Sequence, residues 1–114
     1  MFKIESNKEN NITFITIAGL KGMFEIEHAG LLEQQVNKNI EKNQKDIAID
    51  FSSVEIMNSA SISRLIVLIK TIQAVNGRIV FWGLHQELLD ILNFVNIPNF
   101  ALANSKEGAK DLFL

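Results

Sequence analysis

The segment Asp46 to Phe51 (DIAIDF) constrains the fold more than any other part of the chain. It is a short apolar run of the kind that sits centrally in a sheet and is buried on both faces. Directly after it, Ile62, Leu65, Ile66, Ile69 and Ile72 fall at steps i, i+3, i+4, i+7 and i+10, which is helical spacing from about Ser59. Asn58 or Ser59 is placed to cap that helix, because a short polar side chain accepts from the unpaired amides of the first turn. Val67 and Leu68 widen its apolar face, so the helix is either largely buried, which is the expectation, or presents some apolar surface to a partner. Asn76-Gly77 stops it, and Arg78 to Trp82 is the next strand. Strand, helix and strand in this order predict parallel pairing.

The flanking segments extend the same alternation. Asn11 to Leu20 (NITFITIAGL) is rich in β-branched residues and reads as a strand ended near Gly19, with a short strand before it around Phe2 to Glu5. Glu27 to Asn43 places Ala29, Leu32, Val36 and Ile40 on one face of an amphipathic helix. A further helix from His85 to Val95 turns Leu88, Ile91, Leu92 and Val95 inward, with Pro98 marking the exit. Phe100 to Leu102 forms a last short strand. Ser105 to Phe113 forms a closing helix, capped by Asn104 or Ser105, with Ala109, Leu112 and Phe113 as its apolar contacts. With 114 residues there is room for one domain and one core, so the expectation is a single α/β domain over residues 1–114 with a mainly parallel sheet.

Composition narrows the function classes. Hydrophobic residues make up 47% and charged residues 21%, as in a globular protein, and the longest apolar run, Leu65 to Ile69, is too short for a membrane span. The start of the chain has no apolar signal segment, so a cytoplasmic location is expected. Cysteine is absent, which removes disulfides, thiolate metal sites and a cysteine nucleophile. A net charge of -2 without a long block of one sign argues against a nucleic-acid partner.

The inventory for catalysis is thin. His28 and His85 are the two histidines, and neither has neighbouring ligands at metal spacing, so both read as surface or helix-terminus residues. Phosphate-binding glycine loops and the G-x-S-x-G nucleophile elbow are missing. Asp50, near a strand end, is suited to capping a turn with Ser52 or Ser53. No enzyme activity, metal or cofactor is expected.

The informative segment is Asp50 to Arg64, DFSSVEIMNSASISR, where a strand gives way to a serine-rich turn and then to an apolar helix. Here the chain resembles the STAS domains of anti-sigma-factor antagonists, in which a strand ending near D-[LF]-[ST] leads through an apolar step into D-S-[ST]-G at a helix start. Ile47 to Phe51 resembles that strand, Ile56-Met57 the apolar step, and Asn58-Ser59-Ala60-Ser61 the signature turn. The resemblance implies a mixed, mostly parallel sheet of four to five strands with four helices. It also implies a regulatory module whose partner is an anti-sigma factor or serine kinase, and a turn hydroxyl that the partner phosphorylates.

Three positions depart from the pattern. Asn58 replaces the usual acidic residue, Ala60 occupies the second hydroxyl position and Ser61 replaces glycine. Ser59 is therefore the phosphorylation candidate if the first hydroxyl is the modified one, with Ser61 as a neighbouring hydroxyl. Met57, Asn58, Ser59, Ala60, Ser61, Arg64 and Phe24 form the candidate partner-binding set. Phe24, in the Met23-Phe24 pair, reads either as an exposed contact or as a buried hydrophobic staple before the first helix. Taken at face value, Ala60 points instead to a scaffold or adaptor without phosphorylation, as in stressosome or transporter-associated STAS domains.

Overall fold

The computed structural model describes residues 1–93 and 100–113. Its elements in order are β1 (Lys3–Glu9), β2 (Ile12–Ala18), β3 (Met23–Phe24), α1 (Ile26–Glu41), β4 (Asp46–Asp50), β5 (Ile56–Met57), α2 (Ser59–Ala74), β6 (Arg78–Trp82), α3 (Gln86–Leu92), β7 (Phe100–Ala103) and α4 (Lys106–Asp111). The main sheet runs β1-β2-β4-β6-β7, antiparallel between β1 and β2 and parallel elsewhere. The α/β domain with its mixed, mostly parallel sheet therefore stands as expected, and β4 occupies the central position.

Alternation along β2 sets the two faces. Ile15 and Ile17 join Ile47, Ile49, Ile79 and Phe81 beneath α1, α2 and α3, whereas Ile12 and Phe14 join Ala48, Val80 and Trp82 beneath α4. An aromatic chain crosses the first core, with Phe51 tilted on Phe81 at 4.7 Å and Phe81 edge-on to Phe100 at 5.1 Å between ring centroids. On the second face the short α4 is held by Ser105, whose hydroxyl accepts from the Gly108 amide at 3.0 Å, and by Lys106 pairing with Glu9 at 2.9 Å.

Several expectations need correction. The first strand runs to Glu9 and joins β2 through Asn10 and Asn11, both with positive φ (51° and 68°), a two-residue hairpin turn that the left-handed tolerance of asparagine permits. Val67, Ile91 and Leu112 are exposed, because α2, α3 and α4 each pack only one stripe on the sheet and these residues lie off it. Ile40 does pack half-buried against the core on the apolar face of α1, and Asn39 is buried beside it, its side chain bonded to Gln35 and Gln44. Val95 and the exit at Pro98 lie outside the described residues.

Asn76-Gly77 ends α2 as expected, with a division of labour between the two residues. Asn76 adopts the left-handed conformation (φ 60°), and Gly77 is required by space: a Cβ there would stand 2.6 Å from the Lys45 carbonyl oxygen.

Candidate functional site

At the carboxyl end of β4 the Asp50 carboxylate accepts from the Ser52 amide at 2.8 Å, the strand-end turn that the sequence implies. Phe51 and Val54 then anchor the loop in the core, and Ile56-Met57 forms β5, a parallel partner of β3 with Met23 opposite Ile56 and Phe24 opposite Met57. Neighbouring side chains of a strand point to opposite faces. Met23 and Ile56 are accordingly 40% and 55% exposed, side by side, while Phe24 is 0% exposed and Met57 is half-buried.

Asn58 is the N-cap of α2. Its Oδ1 accepts from the Ser61 amide at 2.9 Å, satisfying one of the unpaired first-turn donors. Ser59 and Ala60, the first two helical residues, are exposed, and the first turn carries no acidic side chain. Free amides and the positive end of the helix dipole favour an anion at such a place.

Two members of the expected site set take other roles. Phe24 is a core residue: its ring meets Phe51 edge-on at 6.3 Å and lies 5.6 Å from His28, so it belongs to the packing and offers no contact surface. Ser61 is wholly buried, and its hydroxyl reaches the Phe24 carbonyl at 2.9 Å and Asn58 Oδ1 at 2.7 Å, which removes it from reach of a modifying enzyme. Arg64 is tied to α1, donating through Nε to Glu33 Oε1 at 2.8 Å and through its terminal nitrogen to Oε2. Its charge is half-exposed and already partnered.

The surface at this end thus includes Ser59 and Ala60 with Met23 and Ile56, while Phe24, Ser61 and Asn58 lie beneath. Ile56 fits the signature by its apolar character. Its exposure follows only from the pairing with β3, which a two-residue strand does not announce in sequence.

The histidines also sit at helix starts. His28 Nδ1 accepts from the Glu25 amide at 2.8 Å at the head of α1, and His85 is the N-cap residue of α3. Among the described residues no group of three or more His, Asp or Glu side chains is placed to hold a metal ion. A cleft of 450 Å³ opens at the opposite end of the parallel strands, lined by Glu9, Asp46, Arg78 and Phe113 among others. Arg78 fills much of its polar role by pairing with Asp46 at 2.8 and 3.1 Å, which raises the guanidinium pKa above its ordinary value.

The sequence matches the STAS domain family over residues 3–108. The chain belongs to the STAS domain family. This STAS domain is 26% identical over 107 residues to BtrV of Bordetella bronchiseptica, a protein provisionally named an anti-sigma factor antagonist, and the match covers 91% of this chain and 90% of that one. Its fold is similar to the phosphorylated form of the Bacillus cell fate determinant SpoIIAA, with a TM-score of 0.72, 17% identity and complete coverage of both chains. It is also similar to a serine-to-glutamate variant of RsbS from Moorella thermoacetica, with a TM-score of 0.76, 14% identity and coverage of 96% of this chain and 93% of that one. Among the described residues no helix is long and apolar enough to cross a membrane.

Proposed function

We infer that this STAS domain is an anti-sigma-factor-antagonist-like regulatory module that acts in the cytoplasm by binding an anti-sigma or serine-kinase partner, without catalysis of its own. In this reading Ser59 carries the phosphate that switches it. The observation that carries the reading is an exposed hydroxyl at the first residue of α2, three residues after exposed Ile56, which pairs with exposed Met23. An apolar pair of this kind suits a protein contact, and a phosphate beside it adds a charge of about -1.5 to -2. The helix start tolerates that charge while an apolar or acidic partner surface does not, so modification acts at the interface. The names of BtrV and of phosphorylated SpoIIAA support the same assignment.

Mass spectrometry of the protein isolated from its native cells tests it. One added phosphate mapped to Ser59 is expected. A chain unmodified at Ser59 under all growth conditions favours the second reading, a scaffold or adaptor without phosphorylation, which Ala60 supports by removing the second hydroxyl of the turn.

A further inference from the structure

The Ser61 hydroxyl has one proton and two acceptors. Its Oγ stands 2.9 Å from the Phe24 carbonyl oxygen, 37 residues away in sequence, and 2.7 Å from Asn58 Oδ1. A single hydroxyl donates to one of them at a time. Asn58 Oδ1 is also held by the Ser61 amide at 2.9 Å, so its pull on the hydroxyl depends on whether that amide is engaged. The group is wholly buried, where the placing of one proton matters more than at the surface. The same three residues join the turn to β3, since Phe24 is the β3 residue next to exposed Met23.

We propose that Ser61 is a positioning residue that relays the state of Ser59 to the β3–β5 ribbon. The relay rests on the reading of Ser59 as the modified residue. A negative group on Ser59 competes for the first-turn amides, including that of Ser61. Asn58 Oδ1, relieved of the amide, takes the hydroxyl proton, and the Phe24 carbonyl loses its donor from α2. A buried carbonyl that loses a donor is costly, so β3 loosens and the Met23 and Ile56 surface is no longer held in one arrangement. Modification then alters the contact surface by charge and by geometry together. The pairing of Asn58 with Ser61 has a reason in this scheme: an amide oxygen shares the proton with Phe24, whereas a carboxylate at position 58 would hold it permanently.

Amide hydrogen exchange of the labelled domain, read at Phe24 and Met57, the facing residues of the ribbon, tests the relay without any partner. Ser61→Ala, Asn58→Asp and Ser59→Asp are each expected to speed exchange at these amides about fivefold, the effect of losing one ordinary hydrogen bond. Ser59→Asp combined with Ser61→Ala is expected to be no faster than Ser61→Ala alone. Asn58→Asp is the decisive variant, because an aspartate keeps the helix cap while capturing the hydroxyl. A Ser61 that merely stabilises the fold would leave ribbon exchange in Asn58→Asp at the native rate. Native exchange in Asn58→Asp, or effects of Ser59→Asp and Ser61→Ala that multiply in the double variant, overturns the relay. Phosphate mapping in cells is separate: its absence defeats the switch reading and leaves the hydroxyl tie standing.

Discussion

Phe24 and Met23 are neighbours in a two-residue strand, yet replacing them has opposite consequences. Phe24 is fully buried against Phe51, so Phe24→Ala removes a phenyl ring from the core and leaves a cavity, a loss of about 3–5 kcal/mol. A domain of this length has a total stability of roughly 6–17 kcal/mol at about 0.05–0.15 kcal/mol per residue, so the variant still folds but is markedly weakened. At about 4 °C per kcal/mol for a chain of this size, its melting temperature falls by roughly 12–20 °C. Met23 is 40% exposed, and Met23→Ala is expected to stay within about 0.5 kcal/mol, or about 2 °C. Thermal melts followed by far-ultraviolet circular dichroism, with urea titrations as a second measure, separate the two. A Phe24→Ala melt within about 3 °C of the native chain would refute the placement of Phe24 in the core and return it to the contact surface.

Gly77→Ala drives a methyl group to 2.6 Å from the Lys45 carbonyl oxygen and 2.9 Å from Ile72 Cγ2, and a loss of about 1–3 kcal/mol is expected from the urea midpoint. The Thr13 hydroxyl is buried without a partner among the described residues, so Thr13→Val is expected to stabilise the domain by about 1 kcal/mol in the same assay. Glu9 has its pKa lowered chiefly by its hydrogen bond from Lys106, so its contribution is in place above the ordinary glutamate value and is lost as the pH falls through the lowered one. Acid is therefore expected to loosen α4 and expose the lone tryptophan, Trp82, to acrylamide quenching, and Glu9→Gln is expected to show that exposure already at neutral pH.

Much of the fold is legible because its signals are local. The apolar run at β4, the helical spacing of Leu65, Ile69 and Ile72, the Asn58 cap and the Asn76-Gly77 stop each act within a few residues. What escapes is set by distant partners. The polar strand β1 lies at a sheet edge, where solvent accepts Lys, Glu, Ser and Asn, so it shows no apolar alternation beyond Ile4. The β3–β5 ribbon exists only because two loops meet, and with it goes the exposure of Ile56 and the burial of Phe24. Ser61 carried a signal that hydrophobicity conceals: it lies four residues before Leu65 and seven before Leu68, on the buried face of α2, where a polar side chain must have partners. Val67, Ile91 and Leu112 mislead in the other direction, since apolar character alone does not place a residue inside.

In the proposed function this end of the domain binds a partner protein, and charge at Ser59 governs the binding. The most direct test captures the partner on the immobilised domain from an extract of the native organism, identifies it, and titrates it calorimetrically against the native chain and Ser59→Asp. A kinase or anti-sigma protein is expected to bind the native chain and to bind Ser59→Asp at least about tenfold more weakly, since a charge placed in a desolvated contact costs more than about 1.4 kcal/mol. Equal affinity for the two chains would contradict it.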